Sequence, residues 1–188
     1  METKQLLLDR ALELFAAHGY ESVGVQQIVE AAGVTKPTLY HHFGSKAGLL
    51  RALLGQQCEP YFAALEAACV YRGDLPQTLF LAARAMLGFA RKSPEFYRLR
   101  LALRFSASAS EAYGSIEPFL ARQQRTLEDL FTLVVADHGN LRGRHSIFAV
   151  TFAATVDAYI ATGEASKALQ DDAMRQAVKQ FMYGIYAM

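Results

Sequence analysis

Apolar side chains recur at every third or fourth position along most of the chain, and strict alternation of apolar and polar residues is almost absent. This period is typical of amphipathic helices packed against a core. The first segment places Leu7, Leu8, Ala11 and Phe15 on one face and ends at Gly19, a residue that stops helices. Further helices are predicted over residues 25–32, 35–42, 45–70, 74–92, 94–106, 110–137, 144–162 and 171–186. The pattern therefore predicts an all-α fold of about nine helices.

Two prolines stand inside these predicted helices. Pro60 lies in the segment 45–70, and Pro118 lies in the segment 110–137. A proline removes one backbone hydrogen bond and its ring clashes with the preceding turn. We therefore expect Pro60 to bend or split its helix, and the later helix to be interrupted near Pro118.

The most informative stretch is a pair of short predicted helices that meet at Gly33. Glycine readily adopts the left-handed conformation that a tight turn between helices needs. Thr35 is a candidate N-cap for the second helix, and Pro37 falls in its first turn, where it breaks no hydrogen bond. Leu39 and Phe43 are four residues apart, so both are expected to anchor this helix to the core.

The opposite face of this second helix carries side chains suited to DNA. Anchoring at Leu39 leaves Lys36, Pro37, Thr38, Tyr40 and His41 pointing outward, and these include donors that reach base edges and phosphates. A major groove about 12 Å wide admits such a helix. Between residues 31 and 57 the chain has three basic residues and no acidic one, so the local charge agrees. A helix pair that is only structural would produce the same turn without contacting DNA.

Composition excludes several other classes of protein. Of the 188 residues 52% are apolar, enough to bury a core, so intrinsic disorder is not expected. Two cysteines are too few for a disulfide scaffold or a four-cysteine zinc site, and the five histidines lack metal-binding spacing. We expect neither a metal nor a cofactor. The formal net charge is only +1, so a DNA-binding surface must be local.

Membrane and secretory signals are not apparent. No apolar run reaches the roughly 20 residues that a span needs, and the first residues lack a signal-peptide pattern. We expect a cytoplasmic protein without a membrane partner. No nucleophile–base set, carboxylate pair or glycine-rich phosphate loop stands out, so the sequence offers no residue for an enzymatic role.

Taken together, the first 50 residues resemble the helix-turn-helix head of the TetR family of bacterial transcriptional regulators. The resemblance is specific because several short pieces match in the correct order. These pieces are Ala11-Leu12-Glu13-Leu14-Phe15, Gly19-Tyr20, Ala31-Ala32-Gly33-Val34-Thr35-Lys36, Leu39-Tyr40-His41-His42-Phe43, Ser45-Lys46 and Leu49-Leu50.

The resemblance implies that the helix beginning at Thr35 reads the major groove. The implied DNA-binding residues are Thr35, Lys36, Pro37, Thr38, Tyr40, His41 and, at a phosphate, Lys46. One position departs from the family pattern. Gly24 stands just before the second helix, where family members often carry a threonine that caps the helix and binds a phosphate.

By the same resemblance, residues 1–46 form the DNA-binding domain and residues 47–188 a ligand-binding and dimerisation domain. The residues expected to line a ligand pocket are Phe62, Met86, Phe89, Tyr97, Arg100, Leu101, Arg104, Phe105, Tyr113 and Phe131. Those expected at a dimer interface are Phe148, Phe152, Val156, Tyr159, Phe181 and Ile185. Both sets also fit an ordinary packed core, and Arg100 and Arg104 also fit surface ion pairs.

The sequence thus predicts a homodimeric regulator that binds double-stranded operator DNA, most simply a repressor released by a small-molecule effector. Two alternatives stay open. One is a DNA-binding regulator controlled by a protein partner, or one without an effector. The other is a helical enzyme that modifies a ligand and carries an incidental head.

Overall fold

A computed structural model describes residues 2–137, 141–162 and 170–183, and within these ranges it contains nine α-helices and no strand. The helices are α1 Thr3–His18, α2 Val25–Ala31, α3 Lys36–Phe43, α4 Lys46–Ala68, α5 Leu75–Lys92, α6 Pro94–Arg104, α7 Glu111–Val134, α8 His145–Ala161 and α9 Gln170–Tyr183. The predicted all-α class is confirmed, and each predicted segment corresponds to one helix.

The two internal prolines do not break their helices. Pro60 lies inside α4 and Pro118 inside α7, and both helices are continuous. The predicted interruption at Pro118 is therefore wrong, and Pro60 does not split α4. A proline within a helix costs about 3 kcal/mol, but buried neighbours such as Phe62 and Ile116 hold the flanking turns in place. Tertiary packing overrides the local preference here.

The chain divides into two compact units. The first comprises Met1–Glu59 and Ser93–Leu120, and the second comprises Pro60–Lys92 and Ala121–Met188. Within the first unit α1 packs against α2 and also against α6. This unit is therefore larger than the predicted DNA-binding domain of residues 1–46, and a division of roles at residue 46 stays a prediction.

The first unit has a core of fully buried aliphatic and aromatic side chains from its N-terminal helices. Leu7, Phe15, Ile28 and Leu39 are each at most 1% exposed. Of the two predicted anchors of α3, Leu39 is fully buried and Phe43 is half-buried. An eight-residue helix is not stable alone in water, so this anchoring is what fixes its orientation.

In the second unit α5 packs against α8 and α9, and α8 packs against α9. Phenylalanine rings from α7, α8 and α9 form a cluster with ring centroids 5.4–6.2 Å apart: Phe131, Phe148, Phe152 and Phe181. Aromatic pairs at such distances stabilise a core beyond their buried area. Three helices of the unit are thus joined through one aromatic cluster.

Both cysteines, Cys58 and Cys69, are buried free thiols. Burial raises the pKa of Cys69 to about 12, which leaves the thiol protonated and unreactive. Of the helices described, none is both long and apolar enough to cross a membrane.

Candidate nucleic-acid interface

The turn between α2 and α3 is closed by backbone hydrogen bonds around a glycine. Gly33 has φ +63°, and its N–H donates to the carbonyl of Glu30 at 3.1 Å. The N–H of Val34 donates to the carbonyl of Val29 at 2.9 Å. A residue with a Cβ is strained at this φ, so the predicted role of Gly33 agrees with the geometry.

The N-terminus of α3 begins as predicted, with one difference in its hydrogen bonds. Thr35 is the N-cap in an extended conformation, and Pro37 lies in the first turn. The Thr35 hydroxyl makes no hydrogen bond to the helix backbone, but lies 2.9 Å from the hydroxyl of Thr38. The hydroxyl pair leaves the N–H groups of the first turn open to a phosphate.

The outward face of α3 is exposed where the sequence predicts it. Lys36, Pro37, Tyr40 and His41 are exposed, and Thr38 is half-buried. Tyr40 is 47% exposed, a high value for an aromatic side chain. The face thus presents an ammonium, a phenol and an imidazole to solvent on one short helix, as a major-groove reader requires.

The junction between α3 and α4 depends on a glycine that sequence reasoning missed. The N–H of Gly48 donates to the Oγ of Ser45 at 2.9 Å, which caps α4. A Cβ added to Gly48 would lie 1.9 Å from the carbonyl oxygen of Phe43, so any side chain there forces α3 and α4 apart. In the sequence, the Ser45-x-x-Gly48 spacing after Gly44 indicates an N-cap for α4. It does not indicate that Gly48 lies against the Phe43 carbonyl.

The N-terminus of α2 has a half-complete cap. Gly24 is the N-cap, and its N–H donates to the Gln27 Oε1 at 2.7 Å. The reciprocal bond, from a side chain at position 24 to the helix, is missing because glycine has none. A Cβ added to Gly24 would meet only this Gln27 oxygen at 3.7 Å, an ordinary contact. Position 24 therefore has room for a serine or threonine side chain, although the chain carries glycine there.

Lys46 is engaged within the protein. Its Nζ lies 3.0 Å from the carbonyl oxygens of both Tyr20 and Val23, and 4.1 Å from the centre of the Tyr20 ring. The Tyr20 hydroxyl donates to the Glu111 carboxylate at 3.2 Å. Burial, and then the nearby charge of Glu111, raise the pKa of Tyr20. The phosphate contact of Lys46 stays a prediction. The contacts of Lys46 with the Tyr20 and Val23 carbonyls and with the Tyr20 ring were not predicted from the sequence.

Comparison with known proteins finds a match to the segment that contains this helix-turn-helix. Residues 7–53 match the sequence profile of bacterial regulatory proteins of the tetR family. This part of the chain is therefore similar to the N-terminal region of tetR-family regulators. The matched residues contain most of α1, all of α2 and α3, and the first turns of α4.

Curated relatives match part of the chain. The transcriptional activator FasR of Mycolicibacterium smegmatis is 35% identical over 98 residues, 52% of this chain and 45% of its own length. The transcriptional repressor ComR of Escherichia coli is 45% identical over 60 residues, 32% of this chain and 29% of its own length. The chain thus matches less than half of either relative, and the relatives include both activators and repressors.

Solved structures of transcriptional regulators share the fold over nearly the whole chain. FadR of Bacillus subtilis, in complex with stearoyl-CoA, superposes with a TM-score of 0.80 at 19% identity and covers 97% of this chain and 99% of that one. PfmR of Thermus thermophilus, a TetR-family regulator, gives 0.76 at 22% identity, with 98% of each chain covered.

The residues predicted for a ligand pocket fall in both units. Tyr97, Arg100, Leu101, Arg104, Phe105 and Tyr113 belong to the first unit, and Phe62, Met86, Phe89 and Phe131 to the second. Arg100 is 3% exposed, with its guanidinium carbon 4.6 Å from the centre of the Tyr97 ring. Phe105 is 82% exposed, which does not suit the lining of an enclosed site. The other residues are buried or half-buried, as both a pocket and a core require.

The residues predicted for a dimer interface are divided by burial. Phe152 and Val156 are 1% exposed inside the protomer, so they serve the core of the second unit. Phe148, Tyr159 and Phe181 line an open groove of about 560 Å³ on α8 and α9. Ile185 lies outside the described residues. The sequence reasoning missed the more exposed apolar residues of α8, which include Ile147.

Within the described ranges, no group of three or more potential ligand residues is arranged to hold a metal ion.

We expect Gly48→Ala to destabilise the protein, because the new Cβ displaces the Phe43 carbonyl. Overpacking of this kind costs about 1–3 kcal/mol. Gly55→Ala is the matched control, since a Cβ there meets no atom within 4 Å and alanine favours a helix by about 0.5–1 kcal/mol. Urea unfolding of both variants measures the difference. Equal stabilities would show that the junction tolerates a side chain.

At position 24 we expect Gly24→Ser to be at least as stable as the original chain, because serine supplies the missing cap acceptor. Gly24→Ala adds the Cβ without the hydroxyl and should be less stable than the serine variant by about 0.5–2 kcal/mol. Thermal unfolding compares the two. An alanine variant as stable as the serine variant would contradict this interpretation of the cap.

Proposed function

We propose that this chain is a sequence-specific DNA-binding transcriptional regulator whose helix α3 enters the major groove. The observation that carries the proposal is the sidedness of α3. Leu39 is fully buried, whereas Lys36, Tyr40 and His41 are exposed on the opposite side. The match of residues 7–53 to the profile of tetR-family regulatory proteins supports it, and a protein of this function acts in the cytoplasm with the DNA.

A homodimer forms part of the proposal. A two-turn reading helix contacts only a few base pairs, so specificity requires two heads about one helical turn, roughly 34 Å, apart. The exposed side of α8 suits a two-fold contact because it presents Ile147, which is 61% exposed, and Val150, which is 44% exposed. In a two-fold dimer this patch is used by both protomers.

A small-molecule effector completes the proposal. FadR of Bacillus subtilis shares the fold and was solved with stearoyl-CoA, which makes that compound the first probe for this chain. An effector acts by binding better to a conformation whose heads are out of register with the operator. A preference of about 3 kcal/mol for that conformation weakens DNA binding about a hundredfold.

Selection of bound fragments from genomic DNA should enrich one pseudo-palindromic sequence. We expect Thr38→Ala to lose roughly 1–3 kcal/mol of discrimination at one base position, because a base-edge contact is removed. The control is Thr132→Ala, an exposed threonine on α7, which should leave binding unchanged. If no sequence is enriched at any salt concentration, the proposed function is wrong.

Sedimentation tests the dimer. Ile147→Arg should produce monomers, because a charge buried in an apolar interface is costly. Val70→Arg places the same charge at another exposed apolar residue, which is 55% exposed, and should leave the dimer intact. A dimer that survives the change at Ile147 would place the interface elsewhere.

Addition of stearoyl-CoA should release operator DNA and raise the melting temperature of the free protein, since a ligand that binds only the folded state stabilises it. Coenzyme A without an acyl chain is the control and should do neither. If neither stearoyl-CoA nor a panel of apolar and acidic metabolites releases the DNA, the effector part of the proposal is wrong. Control of DNA binding by a protein partner then becomes the favoured hypothesis.

A further inference from the structure

We propose that Lys46 is a positioning residue that clamps the connection between α1 and α2, and that Tyr20 extends this clamp to α7 through Glu111. The proposal rests on the proposed function, since the clamp orients α2 and α3 for DNA. It gives Lys46 a role other than a phosphate contact. All of its residues belong to the first compact unit.

The ammonium of Lys46 has its hydrogen-bonding capacity largely occupied. An ammonium has three N–H groups, and two acceptors, the carbonyls of Tyr20 and Val23, each lie 3.0 Å from Nζ. The Tyr20 ring centre lies 4.1 Å from the same atom, a distance typical of a cation–π contact. A phosphate could take only one remaining N–H or would have to displace a carbonyl.

The two carbonyls belong to the segment that sets the start of α2. The N–H of Val23 donates to the carbonyl of Tyr20 at 3.4 Å, and Gly24 is the N-cap of α2. The N–H of Ile28 donates to the Gly24 carbonyl at 3.4 Å. These bonds are long, and the Tyr20 and Val23 carbonyls lie outside any helix, so Lys46 supplies a charged donor that the segment needs.

The clamp joins two points that flank α2 and α3 in the sequence. Lys46 is the first residue of α4, immediately after the α3–α4 junction at Gly44 and Ser45. Tyr20 and Val23 precede α2. The bonds from Lys46 therefore close a ring of chain that contains both helices of the helix-turn-helix. They add a restraint at the start of α2 to those that the buried Leu39 and the Gly48 junction place on α3.

Tyr20 adds a second arm to the clamp. The residue is 3% exposed, and its ring packs against Phe15 with centroids 5.1 Å apart. Its hydroxyl donates to Glu111 in the first turn of α7 at 3.2 Å. One side chain thus contacts the lysine through its ring and α7 through its hydroxyl. Any displacement of the start of α7 is passed to the position of α2.

The salt dependence of operator binding distinguishes a clamp from a phosphate contact. Lys46→Met keeps most of the apolar stem but loses the ammonium. We expect its operator affinity to fall by about tenfold or more, while the slope of log affinity against log salt concentration stays that of the original chain. Lys36→Met, which removes an exposed ammonium of α3, is the control, and its slope should fall by about one unit. A fall of about one unit for Lys46→Met would overturn the proposal.

Hydrogen exchange in the free protein tests the clamp without DNA. In Lys46→Met the amides of Val23 and Ile28 should exchange faster, and Lys46→Arg should restore their protection because a guanidinium also donates to two carbonyls. Unchanged exchange in Lys46→Met would overturn the proposal. This measurement needs no operator. If the protein binds no DNA sequence, the proposed function is wrong, but hydrogen exchange still shows whether Lys46 restrains Val23 and Ile28.

Tyr20→Phe tests the arm to α7, since it removes the hydroxyl and keeps the ring and the carbonyl. We expect a smaller loss of operator affinity than in Lys46→Met, with an unchanged salt slope. A double-mutant cycle with Glu111→Ala should show that the two changes are not additive. Additive effects on operator affinity would show that the Tyr20 hydroxyl does not act through Glu111, and that part of the proposal would be wrong.

Discussion

The close approach of Gly48 to the carbonyl oxygen of Phe43 holds the C-terminus of α3 against the start of α4. A Cβ at Gly48 would lie 1.9 Å from that oxygen, so the two helices can meet in this way only without a side chain. The eight residues of α3 are too few to form a stable helix alone. Its direction is therefore set by this junction at one end, by the turn at Gly33 at the other, and by the buried Leu39 between them.

Holding α3 at three points leaves its outer face free for recognition. The residues of that face are exposed because the anchors all lie on the inner side. Tyr40 is 47% exposed, and the segment from residue 31 to residue 57 carries basic residues and no acidic ones. Rigid presentation matters because a contact with a base edge depends on short hydrogen bonds of defined direction. Under the proposed function the scaffold supplies that precision, while the formal net charge of +1 supplies little attraction to DNA.

Sequence periodicity was sufficient for the elements and for the sidedness of α3, because both follow from the spacing of apolar residues. It was not sufficient where tertiary packing decides. Pro118 is tolerated inside α7, although its local preference is to end a helix. Phe152 and Val156 have the spacing of an interface and of a core alike, and burial within the protomer separates the two. Spacing also gave no sign of the two backbone carbonyls that accept from Lys46, because backbone acceptors have no signature in a sequence.

The proposed function depends most directly on the exposed face of α3 lying in the major groove of operator DNA. Photocrosslinking to operator DNA with 5-iodouracil in place of thymine tests it, since the iodine occupies the position of the thymine methyl group in that groove. The crosslinked peptide should contain Tyr40 or His41, and the yield should fall when Tyr40 is replaced by alanine. Crosslinking confined to a segment outside residues 35–43 would contradict the proposed function.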